Sequence, residues 1–424
     1  MSTLVLGAAV SGAAIVRFLQ RRGTPPSVVY DAGRTGEVEG VSITSGPWDP
    51  SLLDGITRVV ASPGFPERGA PIQDALAAGV PVLSEIELAF TALDVPLVAV
   101  TGTNGKTTVT TLVDEMLRAS DVRSAAVGNI GSPLCDAELL TVDALVVETS
   151  SFQLRFIEAF HPAVAVVLEV TEDHLDWHGS VEAYRTAKAR ITEHQVAGDV
   201  LVHAADDEGA ASIAATSAAD LLPVSGSRVP DGGFGAEGDL LHLPGGTVPA
   251  TGLDSAYRLD LAAAAAAATA MGARPEAIES VVLGFTTGRH RREHIARLDG
   301  IDYVNDSKAT NPHAAAAALR AHPSVVAILG GRNKGLDLGP LLEVGTVKAV
   351  VAIGEAGEEL AALRPGTPLA ATMDEAVRLA RGLAEGGDTV LLAPGCASFD
   401  MFDSYEARGD AFRDAVLGIM QADR

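Results

Sequence analysis

Short runs of Val, Leu, Ile and Ala alternate with helical stretches along the 424-residue chain. The apolar runs are continuous, which is typical of parallel strands covered by helices on both faces. The pattern predicts an α/β fold with parallel sheets. Between Ser225 and Gly252, Gly and Pro are frequent, which predicts loops and short hairpin strands. The predicted strands are Leu4 to Leu6, Val28 to Tyr30, Leu97 to Val100, Ala144 to Val147, Val164 to Leu168, Val325 to Leu329, Ala349 to Ile353 and Val390 to Ala393.

Two segments interrupt this alternation and predict domain joints. They are Ala92 to Pro96 and the FTTG run from Gly284 to Gly288. The joints divide the chain into parts that agree with a length of roughly 150 residues per domain. We therefore predict three domains, at residues 1–94, 95–287 and 288–424.

Charge and composition narrow the function classes. Lys and Arg number 31 against 55 Asp and Glu, which gives a net charge of −24. A field of this sign repels nucleic-acid backbones and anionic membranes, so no nucleic-acid partner is expected. The longest apolar tract, Leu261 to Ala273, is mostly Ala and too short to span a bilayer, so no membrane insertion is expected. The two cysteines, Cys135 and Cys396, lie far apart and predict no disulfide framework, as in a cytoplasmic protein.

The strongest chemical motif is TGTNGKTT, which follows the predicted strand ending at Val100 and opens a helix. Glycines let backbone N–H groups surround phosphate oxygens, while a Lys and a Thr can hold the terminal phosphates and Mg²⁺. Val100 replaces the first Gly of the common phosphate-loop pattern, and a tight turn with an incidental Lys is the alternative. The nucleotide-binding candidates are Gly102, Thr103, Asn104, Gly105, Lys106, Thr107 and Thr108.

Three further candidates follow this loop along the chain. Glu148 ends a predicted strand, where phosphate-loop folds place a metal ligand, although a helix cap is the alternative. His174 lies in the run EDHLD just past another strand and could be structural instead. Lys188 lies on a predicted helix, where an exposed, solvated lysine is the common alternative.

The motifs TGTNGKTT, GNIG, ETSSFQL, EDHLD and YRTAK occur in an order that resembles the Mur ligase family of ATP-dependent amide-bond ligases. The similarity covers nearly the whole chain. GRHRRE, NDSKATNP, LGGRNKGLDL and CASFDMFDSYEARG are typical of the members that add D-glutamate. The resemblance implies a Rossmann-like N-terminal domain for the UDP substrate, a central P-loop ATPase domain, and a Rossmann-like C-terminal domain for D-glutamate and closure.

For the first domain, the glycine turn Gly7 to Gly12 followed by Asp31 would also permit an NAD site. Ala9 stands at the middle glycine, however, and opposes close approach of a pyrophosphate. The resemblance instead implies that this region holds the UDP-sugar substrate. The residues that it implies for this role are Val10, Ser11, Asp31, Ser62, Gly64 and Asn129.

The resemblance also implies the reaction. ATP would phosphorylate the carboxylate of UDP-N-acetylmuramoyl-L-alanine, and the amine of D-glutamate would attack the resulting acyl phosphate in peptidoglycan precursor synthesis. Lys106, His174 and Lys188 are the implied catalytic residues. Two Mg²⁺ sites are implied, with Lys188 carbamylated so that it becomes an anionic ligand. The implied metal ligands are Thr107, Glu148, His174 and Lys188.

In the third domain, Arg291 and Asp306 match positions that hold the nucleotide phosphates and ribose. The implied D-glutamate pocket consists of Lys308, Thr310, Lys334, Ser398, Phe399 and Tyr405. Helix capping and core packing are the alternatives for Ser398 and Phe399. The family's His-Asn pair is replaced by Ala256 and Tyr257, and Asp260 stands where an Asn would contact adenine, so Asp260 is the candidate adenine contact.

Two other functions stay open at this point. One is a Mur-type ligase that adds a different amino acid, and the other is a non-catalytic paralogue that binds the UDP precursor. We expect a cytoplasmic monomer.

Overall fold

The computed structural model describes residues 1–243 and 245–422 and contains three sheets flanked by helices. By internal contacts the chain forms two compact units. The first comprises Met1–Thr171 and Trp177–Gly284, and the second comprises Glu172–Asp176 and the chain from Phe285 onward. In the described residues no helix is both long enough and apolar enough to cross a membrane.

The first sheet has the strand order β3-β4-β2-β1-β5-β6 and is parallel except for the β3–β4 pair. Its strands are β1 Thr3–Leu6, β2 Val28–Tyr30, β3 Glu37–Val38, β4 Val41–Thr44, β5 Arg58–Ala61 and β6 Val82–Ser84. The accompanying helices are α1 Val10–Arg21, a 3-10 helix Pro50–Leu53, α2 Ala70–Ala77 and α3 Glu85–Phe90. Each parallel crossover returns the chain to the same sheet edge, so the turns after β1, β2 and β5 lie side by side.

The second sheet has the order β15-β14-β13-β12-β11-β10-β7-β9-β8. Its strands are β7 Leu97–Thr101, β8 Ser124–Gly128, β9 Ala144–Glu148, β10 Val164–Val167, β11 Val200–Ala204, β12 Asp220–Ser225, β13 Phe234–Glu237, β14 Leu240–Leu243 and β15 Gly246–Pro249. Strands β13 to β15 pair antiparallel, which confirms the hairpin strands predicted from the Gly and Pro content.

The helices of this region are α4 Lys106–Ala119, α5 Ser151–Leu154, α6 Leu175–His178, α7 Val181–Ala189, α8 Glu208–Ala214, α9 Ser255–Ala270 and α10 Pro275–Gly284, with 3-10 helices Leu134–Leu139 and Arg190–Thr192. Several of them, among them α4, α8 and α9, pack against the second sheet. Helix α9 is buried on all sides from Leu259 to Ala268, because its Ala side chains allow α4 and the sheet to approach closely.

The third sheet has the order β16-β17-β21-β18-β19-β20, with only β16–β17 antiparallel. Its strands are β16 Glu293–Leu298, β17 Ile301–Asn305, β18 Val325–Gly330, β19 Val347–Ile353, β20 Leu369–Ala370 and β21 Thr389–Leu392. Its helices are α11 Pro312–Arg320, α12 Gly339–Leu342, α13 Gly357–Leu363, α14 Met373–Leu383 and α15 Tyr405–Ala422.

Strand β18 shows why its sequence is continuously apolar. Val325, Ala327 and Leu329 belong to one hydrophobic core, whereas Val326 and Ile328 belong to another on the opposite face. Since successive side chains alternate between faces, a strand covered by helices on both sides needs apolar residues throughout. The predicted α/β class with parallel sheets is confirmed.

Candidate active site

The turn after β1 brings several of the predicted UDP-substrate residues together. Gly7 has a φ of +99°, and a Cβ on Gly12 would lie 1.9 Å from the Gly7 carbonyl oxygen, so this turn requires glycine at both positions. Val10 and Ser11 open helix α1, whose first N–H groups face the same sheet edge as Gly64, just past β5. This arrangement can receive an anionic group.

Two side chains border this turn. The carboxylate of Asp31 accepts hydrogen bonds from the backbone N–H groups of Ala8, Gly33 and Arg34, at 3.0 to 3.1 Å. Asp31 therefore holds the two neighbouring turns together. The hydroxyl oxygen of Ser62 is buried and has no hydrogen-bond partner within the described chain, which suits contact with a ligand.

The predicted phosphate loop forms the turn between β7 and α4. Gly105 precedes α4 with a left-handed φ of +81°, and Gly102 lies so close to Leu168 that a Cβ would lie 2.7 Å from that residue's Cβ. Lys106 donates from Nζ to the carbonyl oxygens of Gly102 and Thr103, at 2.9 and 3.0 Å. Thr107 follows on the first turn of this 14-residue helix. The loop therefore combines a helix N-terminus with a cation and a hydroxyl.

Glu148 lies beside the phosphate loop because β9 pairs with β7, placing Glu148 opposite Val100. Its side chain is buried, and Oε1 accepts a hydrogen bond from Asn129 Nδ2 at 2.8 Å. Its other oxygen, Oε2, is buried with no hydrogen-bond partner among the described residues. Ser150, not Glu148, caps helix α5, so the helix-cap alternative is wrong. An unpartnered buried carboxylate oxygen fits a divalent cation.

Lys188 lies under the phosphate loop. Its side chain is only 1% exposed, and Nζ donates to the Gly102 carbonyl at 2.7 Å and to Thr101 Oγ1 at 3.3 Å. The alternative of an exposed, solvated lysine is therefore wrong. Tyr184 supports the same loop, since its ring lies 4.7 Å from Lys188 Nζ and its hydroxyl lies 3.1 Å from Thr103 Oγ1.

Asp260 also lies against the phosphate loop. It is buried on α9, and its Oδ1 would be 2.2 Å from a Cβ built on Gly105. The predicted nucleotide contact is thus adjacent to the N-terminus of α4. The remaining predicted nucleotide-binding residues of this loop are Thr103, Asn104 and Thr108.

In the second unit, His174 has a left-handed φ of +51°. Its backbone N–H donates to the Asp173 carboxylate at 2.8 Å. Asp173 is buried, and Lys334 Nζ donates to its Oδ1 at 3.0 Å. Burial opposes ionisation of Asp173, but the charges of Lys334 and His174 hold its pKa below the usual value. Asp173 was not among the predicted site residues, although it belongs to the EDHLD motif.

Asp306 follows β17 and is buried near two arginines. Burial raises its pKa to about 6, against the opposing effect of Arg292, whose backbone N–H donates to Oδ1 at 3.3 Å. The charge of Arg291 also favours ionisation of Asp306. Arg291 and Asp306 are the two residues of this domain that are predicted to hold the nucleotide. Arg292, which was not among the predicted residues, contacts Asp306 beside them.

The predicted D-glutamate residues come from three separate connections of the third sheet, which follow β17, β18 and β21. Lys308 Nζ lies 3.8 Å from the ring centre of Tyr405, the first residue of α15. Thr310 is half-buried and precedes α11. Ser398 is buried, whereas Phe399 is 65% exposed, so the core-packing alternative for Phe399 is wrong.

Arg408 was also missed, although it lies in the terminal motif YEARG. Its guanidinium is buried and donates to Ser307 Oγ, the Ser307 carbonyl and the Cys396 carbonyl, at 2.8 to 3.0 Å. Burial lowers its pKa to about 10. Arg408 thereby ties the loop after β17 to the loop after β21, which carry Lys308 and Ser398.

Comparison with known proteins identifies the family. A model of the Mur ligase MurD-like N-terminal domain matches residues 1–84, the Mur ligase middle domain matches 100–226, and the Mur ligase glutamate ligase domain matches 290–396. The UDP-N-acetylmuramoylalanine--D-glutamate ligase of Frankia casuarinae is 41% identical, over 98% of this chain and 94% of the relative. The chain belongs to the Mur ligase family.

A second relative agrees with this assignment. The UDP-N-acetylmuramoylalanine--D-glutamate ligase of Pelotomaculum thermopropionicum is 40% identical, over 98% of this chain and 97% of the relative. A solved structure of a pseudomurein peptide ligase type C from Methanothermus fervidus superimposes with a TM-score of 0.63 at 17% identity, covering 99% of this chain and all of that one. The latter likeness shows that the Mur ligase fold is shared.

The residues of this Mur ligase fit ATP and Mg²⁺. The left-handed Gly105 lets backbone N–H groups point from the start of α4 toward a phosphate. Lys106 supplies a cation there, which matters in a chain with a net charge of −24. The Thr107 hydroxyl and the unpartnered oxygen of Glu148 are hard oxygen donors of the kind that Mg²⁺ prefers.

Proposed function

We propose that this protein is an ATP-dependent ligase that joins D-glutamate to UDP-N-acetylmuramoyl-L-alanine through an amide bond, in peptidoglycan precursor synthesis. The observation that carries this proposal is the identity of about 40% to D-glutamate ligases over nearly the whole chain. The phosphate loop with its adjacent buried carboxylate supplies the matching chemistry. ATP and Mg²⁺ are the expected cosubstrate and metal.

The reaction must activate a carboxylate, because a carboxylate oxygen is a poor leaving group toward an amine. A carboxylate oxygen of the substrate attacks the γ-phosphorus of ATP, the bond from that phosphorus to the bridging oxygen breaks, and ADP leaves as the acyl phosphate forms. The amine of D-glutamate then attacks its carbonyl carbon, the C–O bond to phosphate breaks, and phosphate leaves as the amide forms. One proton is lost from the attacking amine.

The residues of the phosphate loop carry the first step. Lys106 and the N-terminal amides of α4 offset the charge of the transferring phosphoryl group, and Thr107 and Glu148 would hold Mg²⁺. Bound Mg²⁺ would neutralise phosphate charge. Lys188 fixes the position of the loop by donating to its backbone. Asp260 lies against the loop at Gly105, where it would contact the nucleotide.

Carbamylation of Lys188 belongs to the same proposal. The neutral amine would add to CO₂, forming an N–C bond and releasing one proton, and the product carries a negative charge. This carbamate would serve a second Mg²⁺ together with His174. Burial of Lys188 beside the phosphate loop supports this role. A ¹³C carbamate signal from protein equilibrated with ¹³C-bicarbonate, absent in Lys188→Ala, would support it, and no such signal would contradict it.

The other site residues follow the same division. We propose domains at 1–94, 95–287 and 288–424, for the UDP substrate, ATP, and D-glutamate with closure respectively. Arg291 and Asp306 would contact the nucleotide. Lys334, Lys308, Thr310, Ser398, Phe399 and Tyr405 would form the D-glutamate pocket. We also propose a cytoplasmic monomer.

The test is phosphate release from ATP in the presence of UDP-N-acetylmuramoyl-L-alanine with D-glutamate, L-glutamate, L-lysine or no amino acid. Release that depends on D-glutamate is expected. Release with another amino acid would indicate a different Mur-type ligase, and no turnover with any of them would contradict a catalytic role.

A further inference from the structure

The 3-10 helix Leu134–Leu139 connects the region of Asn129 with strand β9, and helix α1 holds it from one side. Arg17 makes a two-point ion pair with the Asp136 carboxylate, at 3.3 and 2.5 Å. Arg21 donates to the Cys135 carbonyl at 2.8 Å and to the Glu138 carboxylate at 2.5 Å. These contacts join the second-sheet region to the helix that begins at the predicted UDP turn.

Helix α3 holds the same segment from the buried side. The carboxylate of Glu85 is 1% exposed and accepts a hydrogen bond from the Cys135 backbone N–H at 2.5 Å. The Cys135 thiol in turn lies 3.6 Å from the Glu85 carbonyl oxygen. Cys135 thus donates to Glu85 through both its backbone N–H and its thiol, and the two contacts fix both position and orientation.

A carboxylate at this position is energetically costly. Burial, with a smaller effect from the charge of nearby Asp136, raises the pKa of Glu85 to about 7, and the hydrogen bonds from the Cys135 N–H and side chain oppose this rise. An apolar side chain would avoid this cost. A side chain with an oxygen acceptor at this reach can hold the Cys135 amide in one place, which an apolar side chain cannot do.

The segment 134–139 follows the Asn129 loop directly along the chain. The chain turns back between them, with the Gly128 N–H donating to the Ser132 carbonyl at 2.9 Å. Asn129 is held on its other side by Glu148, through its backbone N–H and its side-chain amide. A shift of residues 134–139 relative to α1 would therefore move the Asn129 loop relative to the turn that carries Val10 and Ser11.

We propose that Glu85 is a positioning residue for the UDP-substrate site, which holds the Asn129 loop in register with the turn that opens α1. Arg17 and Arg21 assist it from the solvent side. This inference rests on the proposed function, because the site is defined by the UDP-N-acetylmuramoyl substrate. It assigns a role to a side chain that contacts neither nucleotide nor amino acid.

The experiment uses a matched pair of variants on one helix. Glu85→Ala removes the acceptor for Cys135, and Glu85→Gln keeps an oxygen at the same reach. Glu87 is also buried on α3, but its carboxylate accepts from the Ala159 and Phe160 N–H groups, at 2.9 Å each. Glu87→Ala therefore removes an equally buried carboxylate that does not hold residues 134–139.

We expect Glu85→Ala to raise the KM for UDP-N-acetylmuramoyl-L-alanine at least fivefold, with the KM for ATP changed less than twofold. Glu85→Gln should restore the substrate KM to within twofold of the starting protein, and Glu87→Ala should leave it within twofold. If Glu85→Ala does not fold, the surface variant Arg17→Ala is the second test, with an expected two- to threefold rise in the same KM.

Two results would overturn the proposal. One is a substrate KM that is unchanged in Glu85→Ala, or in Arg17→Ala where Glu85→Ala cannot be purified. The other is an equal rise in Glu87→Ala, since that would indicate general loosening of α3. Wild-type protein that shows no D-glutamate-dependent turnover would instead refute the proposed function, so the two failures are distinguishable.

Discussion

The carboxyl edges of the second and third sheets are built differently. At the second sheet, Lys106, Lys188 and Tyr184 all bond to one short loop at residues 101–105. At the third sheet, the predicted pocket residues come from the three connections that follow β17, β18 and β21, and Phe399 is 65% exposed. On the proposed assignment, phosphoryl transfer would use one pre-formed loop, whereas the amino-acid pocket would depend on how several loops are held.

The largest expected effect is at the phosphate loop. Lys106→Ala should lower kcat by about 10²–10³-fold, because the cation acts on charge that develops in the transition state. Steady-state phosphate release at saturating substrates measures it. Lys308→Ala serves as the comparison from the third sheet, and a larger kcat loss there than in Lys106→Ala would reverse the contrast between the two edges.

A second effect concerns the unpartnered oxygen of Glu148. Glu148→Gln should lower kcat by about 10²-fold and raise the Mg²⁺ concentration needed for half-maximal rate, since an amide is a weaker Mg²⁺ ligand than a carboxylate. A Mg²⁺ titration of activity measures this shift. An unchanged Mg²⁺ requirement would show that Glu148 does not hold the metal.

At the third sheet we expect a binding effect. Lys334→Ala should raise the KM for D-glutamate roughly tenfold or more, since a charge-assisted contact is worth about 1.5–3 kcal/mol. The KM for ATP should change little. Thermal unfolding of the same variant controls for loss of the ion pair with Asp173. A changed KM for ATP with an unchanged KM for D-glutamate would contradict the assignment of the two edges.

The smallest expected effect is the pH dependence of stability at Glu85. Its pKa in the folded protein is about 7, above the ordinary value of 4.5, so the folded state binds a proton more tightly than the unfolded state. The stabilising contribution of the protonated Glu85 carboxyl to the free energy of unfolding is fully present below pH 4.5 and is lost as the pH rises through 7. Glu85→Gln should therefore unfold at a higher temperature than the starting protein at pH 8, by about 2–4 °C per kcal/mol, and show little difference at pH 5. Equal unfolding temperatures at pH 8 would count against this burial effect.

The same contrast explains what could be predicted from sequence. The phosphate loop was predictable because its glycines, Lys106 and Thr107 are contiguous, and a strand and helix flank them. Central strands such as β18 were visible as unbroken apolar runs. The edge strand β16, with the sequence EHIARL, mixes polar and apolar residues and was missed because no apolar run marks it.

Contacts between residues far apart in the sequence were harder to predict. Glu85 meets Cys135 and Lys334 meets Asp173 across separations of 50 and 161 residues, and neither pairing has a local signal. Lys188 appeared on a helix pattern that fits an exposed side chain as well as a buried one. Its burial follows from the packing of α7 against α5 and from the loop above it, which only the three-dimensional arrangement defines.

The central claim is that ATP activates the carboxylate of the UDP-linked substrate by phosphorylating it. The most direct measurement uses UDP-N-acetylmuramoyl-L-alanine labelled with ¹⁸O in both carboxylate oxygens, together with ATP and D-glutamate. We predict that each turnover transfers one ¹⁸O to inorganic phosphate and leaves the other in the new amide, as measured by mass spectrometry. Inorganic phosphate without ¹⁸O, formed alongside the amide, would contradict the account.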